Sequence, residues 1–169
     1  MRLKIGLVTM VAILLSAFAN AKPYMLGGKP MSIALAHLKV WEGCRLQVYT
    51  CAGGVQTIGY GCTAKAMVAK KQISQAEADL QLKKDIVRAQ YVVVSSVKVP
   101  LTAGQEAALI SFVFNVGSKN FKSSTLLKKL NAGDYASVPG QLRRWKYAGG
   151  KVCQGLINRR EAEIKLWQK

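Results

Sequence analysis

The sequence predicts an α+β fold in which a small β-hairpin lobe lies beside a larger, mostly helical lobe. Three observations predict it. Arg45 to Tyr60 alternates apolar and polar positions around a glycine turn. Two capping boxes, Ser74 with Glu77 and Thr102 with Gln105, follow it and open long helical patterns. The second of these helices is apolar around most of its circumference, which marks the buried centre of a helical lobe.

The elements follow in order. After a connector from Lys22 to Pro30, Ser32 is placed to cap a helix running to about Trp41. Its apolar stripe passes through Leu35 and Leu38 to Glu42, so a carboxylate stands in line with a greasy face. Gly43 ends the helix. In the hairpin, Leu46 and Val48 alternate with polar positions, Ala52-Gly53-Gly54 turns the chain, and Val55 to Ile58 returns it. The first helix therefore delivers Glu42 to the edge of a small sheet. The Ser74 box opens a helix to about Val94. The Thr102 box opens the central one, with Ala107, Leu109, Ile110, Phe112, Val113 and Phe114, which stops at Gly117. Shorter helices are expected from about Ser124 to Leu130, from an N-cap at Asp134 to about Arg144, and from about Leu156 to Trp167. The chain has no internal repeat, low-complexity tract or second domain.

Arg2 and Lys4, the uncharged run from Ile5 to Ala19, and Ala19-Asn20-Ala21 ahead of Lys22 form a secretory signal layout. The run is shorter than the about 20 apolar residues of a spanning helix and contains Gly6, Thr9 and Ser16, so it would hold a membrane only weakly. Residues 1–21 read as a signal peptide or weak signal anchor in transient contact with the membrane. Residues 22–169 read as one domain, large enough for a real hydrophobic core and expected to be a monomer. The periplasm or the extracellular space is the expected location, after tethering to the inner membrane if the segment is kept.

The chain carries 25 Lys and Arg against 8 Asp and Glu, a formal charge of +17. Its partners should be anionic. Nucleic acid is the usual partner of such charge, but export leads away from it, toward phospholipid, lipopolysaccharide and cell-wall carboxylates. An anionic envelope surface fits better, although a generally basic, soluble surface accounts for much of the same charge. Four cysteines, Cys44, Cys51, Cys62 and Cys153, follow the signal segment into a compartment where thiols pair. No Cys-x-x-Cys occurs and His37 is the only histidine, so neither a metal nor another cofactor is expected.

With only 8 carboxylates, each can be tried in a plain structural role first. Glu77 completes a capping box, Asp134 fits an N-cap, and Glu106 sits in a helix first turn, where its charge complements the dipole. Asp79 and Asp85 share a helix with Lys83, Lys84 and Arg88, while Glu161 and Glu163 accompany Arg159, Arg160 and Lys165, so surface or interlobe pairing is their default. Glu42 is left over. Loss of hydration at a lobe junction disfavours a charged carboxylate and moves such a group toward general-acid duty. A partly exposed glutamate at a helix end is also common and without function.

From Glu42-Gly43-Cys44-Arg45 through Tyr49-Thr50-Cys51 to Thr57-Ile58-Gly59-Tyr60-Gly61, the segment closely resembles the catalytic hairpin of phage-type lysozymes, glycoside hydrolase family 24. That family sets Glu, eight residues, Asp or Cys, five residues, then Thr, and Glu42, Cys51 and Thr57 fall on those positions without a gap. Ser111-Phe112-Val113-Phe114-Asn115-Val116-Gly117, Ser123-Ser124-Thr125-Leu126, Arg144-Trp145, Ala148-Gly149-Gly150-Lys151 and Arg159-Arg160-Glu161-Ala162-Glu163 also match, so the resemblance spans roughly Ile33 to Leu166.

The resemblance implies a lysozyme-like fold and hydrolysis of the β-1,4 bond between N-acetylmuramic acid and N-acetylglucosamine in bacterial peptidoglycan, leading to host cell lysis. It implies that protonated Glu42 donates to the leaving oxygen as an oxocarbenium-like centre develops. Cys51 stands where the family more often has Asp, as base or nucleophile, which leaves inversion or retention open. Thr57 would orient water or sugar, and Phe114, Asn115 and Ser124 would line the saccharide cleft. One departure is Cys62, which replaces the histidine of the family's usual Gly-Tyr-Gly-His-Thr. Some relatives leave through a releasable signal anchor and carry the same Glu-Gly-Cys-Arg and Tyr-x-Cys pairing. A Cys44 to Cys51 disulfide would cage the reactive sulfur until exchange with a thiol such as Cys62 freed it. The other pairing joins Cys62 to Cys153 as a staple and leaves Cys44 idle. Two other functions compete with the glycosidase: a cationic membrane-disrupting antibacterial protein on a lysozyme scaffold, and a thiol peptidase using Cys51 with His37. The latter lacks an orienting Asn or Asp at a suggestive place.

Overall fold

The computed structural model describes residues 27–51 and 54–169, so segment 1–21 and the hairpin tip at Ala52 and Gly53 lie outside the described residues. Helix α1 (Gly28–Glu42) begins ahead of Ser32, whose hydroxyl donates to the Gly28 carbonyl at 3.2 Å from within the helix. The start is set instead by Gly27, with φ of 114°, and by the buried Gln90 side chain. Gln90 accepts from the Gly27 N–H at 2.8 Å and donates to the Gly27 carbonyl at 3.2 Å. Pro30 is tolerated because first-turn N–H groups have no partner within a helix. Ala34 and Leu38 form the fully buried stripe of α1.

Strands β1 (Arg45–Thr50) and β2 (Gln56–Gly59) pair antiparallel, with Tyr49 opposite Thr57 and Thr50 opposite Gln56. Thr57 and Ile58, which point to opposite faces of β2, are both buried. A single turn, α2 (Lys65–Val68), which the periodicity does not foresee, leads into α3 (Gln75–Ser96). Both halves of the Ser74 and Glu77 capping box are made, an arrangement that stabilises by about 1 kcal/mol. Ala78, Leu82, Ile86, Ala89 and Val93 are buried at helical spacing, so α3 joins the hairpin lobe to the helical lobe along one apolar face.

Helix α4 (Ala103–Val116) carries the second complete capping box and is the expected centre. Its residues from Ala107 to Val113 are all buried, and it packs against α1, α3 and the C-terminal helix α8 (Gln154–Trp167). The crossing with α8 is close. A Cβ added at Gly104 would stand 2.5 Å from the Leu166 carbonyl oxygen, so only glycine fits there. Between these two helices run α5 (Ser118–Ser123), α6 (Thr125–Asn131), a 3-10 turn (Tyr135–Ser137), α7 (Val138–Arg143) and a two-stranded ribbon of β3 (Tyr147–Ala148) and β4 (Lys151–Val152). Ser124 caps α6 rather than starting it, accepting from the Leu127 N–H. Asp134 caps the 3-10 turn, through the Ser137 N–H, rather than a single helix to Arg144. The α+β expectation holds: a small hairpin lobe stands beside a helical body with one continuous apolar core. No helix among the described residues is long and apolar enough to cross a membrane.

Candidate active site

Glu42 is the last residue of α1, and the positive φ of Gly43 turns the chain directly into β1. The glutamate therefore sits at the junction of the two lobes. Its side chain is 19% exposed, and its Oε1 accepts from Arg159 Nη1 at 2.7 Å. Its Oε2 lies beside Gly61, where φ is 86° and an added Cβ would stand 3.6 Å from that oxygen. Gly61 also borders an open groove of about 510 Å³, lined by Cys62, Thr63, Gln81, Asp85, Arg88, Val113, Phe114 and Ser118 among others. A carboxyl group that is partly desolvated, anchored through one oxygen and next to a groove is arranged for proton transfer to something bound there.

Beneath Glu42 lies a buried ion cluster. Glu163 is fully buried, and its Oε1 accepts from Ser111 Oγ at 2.8 Å, Arg160 Nη2 at 3.2 Å and Arg159 Nε at 3.4 Å. Its Oε2 lies 3.0 Å from Arg160 Nε. Arg160 Nη2 also donates to Asn115 Oδ1 at 2.8 Å, and its guanidinium stacks on the Phe112 ring at 4.9 Å. This corrects the surface or interlobe role expected for Glu163, because three polar partners from two helices take the place of water. Glu161 does pair near the surface, with Arg143 of α7. Burial pushes the Glu163 carboxyl up against the opposing pull of Arg160, Ser111 and Arg159, and it pushes Arg160 down to about 10.

His37, one turn before Glu42 on α1, faces the same cluster. Burial lowers its imidazole to about 4, with Arg159 and Arg160 adding to the effect. Its Nε2 has no hydrogen-bond partner among the described residues. A histidine depressed in the folded state stabilises fully above its unfolded value near 6.5, and that contribution fades as pH falls toward about 4. His37→Gln should accordingly lose less stability than the parent between pH 7 and pH 5 in thermal melts. The difference is on the order of 1 kcal/mol after discounting for partial solvent exposure, and equal losses in the two proteins would refute it.

Cys51 follows β1 and is half-buried, with its N–H bonded to the Val55 carbonyl at 3.0 Å. Thr57 is buried on β2 and its hydroxyl donates to the Val55 carbonyl at 3.0 Å. Phe114 is half-buried on the groove wall, while Asn115 is exposed and accepts from Arg160. Ser124 lines a second groove of about 450 Å³ with Asn120, Ser123, Arg144, Trp145 and Tyr147. Its hydroxyl is already engaged, donating to the Phe121 carbonyl and capping α6. Cys44, Cys62 and Cys153 are thiols, so neither the Cys44 to Cys51 pairing nor the Cys62 to Cys153 staple is made. Among the described residues, no cluster of His, Cys, Asp or Glu is set to hold a metal ion.

Sequence reasoning does not single out Arg159, Arg160 or Ser111. A signal was available: Arg160 shares a helical stripe with Ile164 and Trp167, and an arginine on the apolar face of a terminal helix calls for a buried partner.

The chain is similar to known proteins along most of its length. The phage lysozyme family model matches residues 39–163. The chain is 43% identical over 130 residues to a SAR-endolysin of bacteriophage PS119, covering 76% of this chain and 78% of that protein. It is 41% identical over 138 residues to an endolysin of Acyrthosiphon pisum secondary endosymbiont phage 1, covering 79% and 94%. Among solved structures, an endolysin from Escherichia coli O157:H7 phage FAHEc1 superposes with a TM-score of 0.75 at 28% identity, covering 86% of this chain and 94% of that one.

Proposed function

The chain belongs to the phage lysozyme family and is a glycoside hydrolase of the muramidase kind, and from that premise we propose that it cuts the β-1,4 bond between N-acetylmuramic acid and N-acetylglucosamine with Glu42 as general acid. The observation that carries this reading is the Glu42 carboxyl at the lobe junction, held through Oε1 by Arg159 while Oε2 adjoins the Gly61 rim of the groove. In its protonated form Glu42 donates to the glycosidic oxygen, which makes the leaving sugar neutral as positive charge develops on the other ring. Cys51, directly after β1, supplies the base or nucleophile that the family's Asp would provide. Thr57 orients the attacking group from β2. Phe114, Asn115 and Ser124 contact the glycan strand along the helical wall.

The substrate places the reaction outside the cytoplasm. Residues 1–21 then serve as signal peptide or weak anchor, the basic surface meets the anionic envelope, and a monomer of residues 22–169 does the cutting. Analysis of digested sacculi tests the proposal. New reducing ends without new amino ends are expected, whereas new amino ends without reducing ends would replace the glycosidase with a peptidase.

A further inference from the structure

A general acid must hold its proton until the leaving oxygen takes it, yet an arginine bonded to a carboxyl favours the anion. Arg159 Nη1 lies 2.7 Å from Glu42 Oε1, and Arg160 follows on the same helix. The charged groups around it come from each packed element. Helix α8 supplies Arg159, Arg160 and Glu163. Helix α1 supplies His37, which burial keeps neutral above about pH 4. Helix α4 supplies the uncharged Ser111 and Asn115, helix α3 carries Asp85 and Arg88 on the groove that Gly61 borders, and the hairpin presents the Gly61 backbone beside Oε2 and carries the titratable Cys51 and Cys62. Glu163 is the negative group that Arg159 and Arg160 address together beneath Glu42. It has no contact with solvent, it binds both guanidinium groups, and Ser111 fixes the same oxygen that Arg159 and Arg160 address. Stability alone is a weak reason for such a cluster, since buried ion pairs are often matched or bettered by apolar residues of similar size.

Resting on the reading of Glu42 as the acid, we propose that Glu163 is a positioning residue for glycosidic cleavage: it fixes Arg159 under Glu42 and offsets the two guanidinium charges that stand beneath the acid. Glu163 acts through Arg159 and Arg160 and never touches the substrate.

The test is the pH profile of reducing-end release from purified sacculi by the full-length protein and its Glu163→Gln variant. Without the Glu163 charge, Arg159 and Arg160 act on Glu42 unopposed. The alkaline fall in activity should then move to lower pH by about one unit. Arg160→Met has the opposite sign: Glu163 is left to balance Arg159 alone, and the alkaline limb should move to higher pH. The double variant restores the original charge sum and should return the limb to its starting place. A purely structural role would scale each profile by the folded fraction, as measured by circular dichroism, and leave the limb where it was; that result overturns the proposal. If Glu163→Gln does not fold, the upward shift in Arg160→Met decides, and its absence is equally fatal. Glu42→Gln is run alongside. Cleavage by that variant at the parental rate would remove the acid itself, whereas an inert Glu42→Gln with unmoved limbs would remove only the role of Glu163.

Discussion

Glu42→Gln should reduce the release of reducing ends from purified sacculi by about 10³-fold, within the range that a positioned general acid contributes. The amide has the size of the carboxyl, and its oxygen can still accept from Arg159 Nη1, so the end of α1 and the wall at Gly61 should stay in place. What is lost is the proton. The variant should therefore still sediment with sacculi and melt near the parent temperature while cutting almost nothing. Cys51→Ser, assayed beside it, keeps a side chain of similar shape but a much weaker nucleophile, and should also be severely slowed. If Glu42→Gln retains activity within tenfold of the parent, the proton comes from elsewhere and the assignment fails.

The largest expected loss of stability is for Phe112→Ala, at about 3–5 kcal/mol. Phe112 is fully buried in the middle of α4. Its ring meets Trp145 edge-on at 5.3 Å and Phe121 at 6.3 Å, and it carries the Arg160 guanidinium on its face. Truncation removes packing from the core, from the ribbon-side wall of the second groove and from the floor of the ion cluster together. For a domain of this size the melting temperature should fall by roughly 10 °C. A shift below about 3 °C would mean that these neighbours close over the cavity, and that the ring is not the keystone its contacts indicate.

The sequence exposes those parts of the molecule whose cause is local. Glu42 is legible because an apolar stripe ends on it just before a glycine. The α4 helix is legible because its apolar residues leave almost no polar face, and the hairpin because its alternation runs long enough to count. The β3 and β4 ribbon has two residues per strand, too few to alternate, and α5 is too short to have a face. The start of α1 escapes because Ser32 offers a plausible local cap, whereas the actual start depends on Gln90, 63 positions away. The ion cluster escapes for the same reason, since Arg159 finds Glu42 across 117 positions and no periodicity encodes that meeting. Charged side chains default to the surface, and Arg160 and Glu163 depart from that default only because they are packed against each other under α4. Asp79 likewise ignores the lysines of its own helix and bonds Lys39 of α1 at 2.7 Å.

The grip of Gln90 on Gly27 has a mechanical consequence. Gln90 holds both peptide groups of that residue and is itself braced against Glu106 at 2.8 Å. A tug on the polypeptide upstream is thus taken first by this clasp and passed through Gln90 and Glu106 into α3 and α4. The far end of α1, with its proton-donating tip, is insulated from the pull.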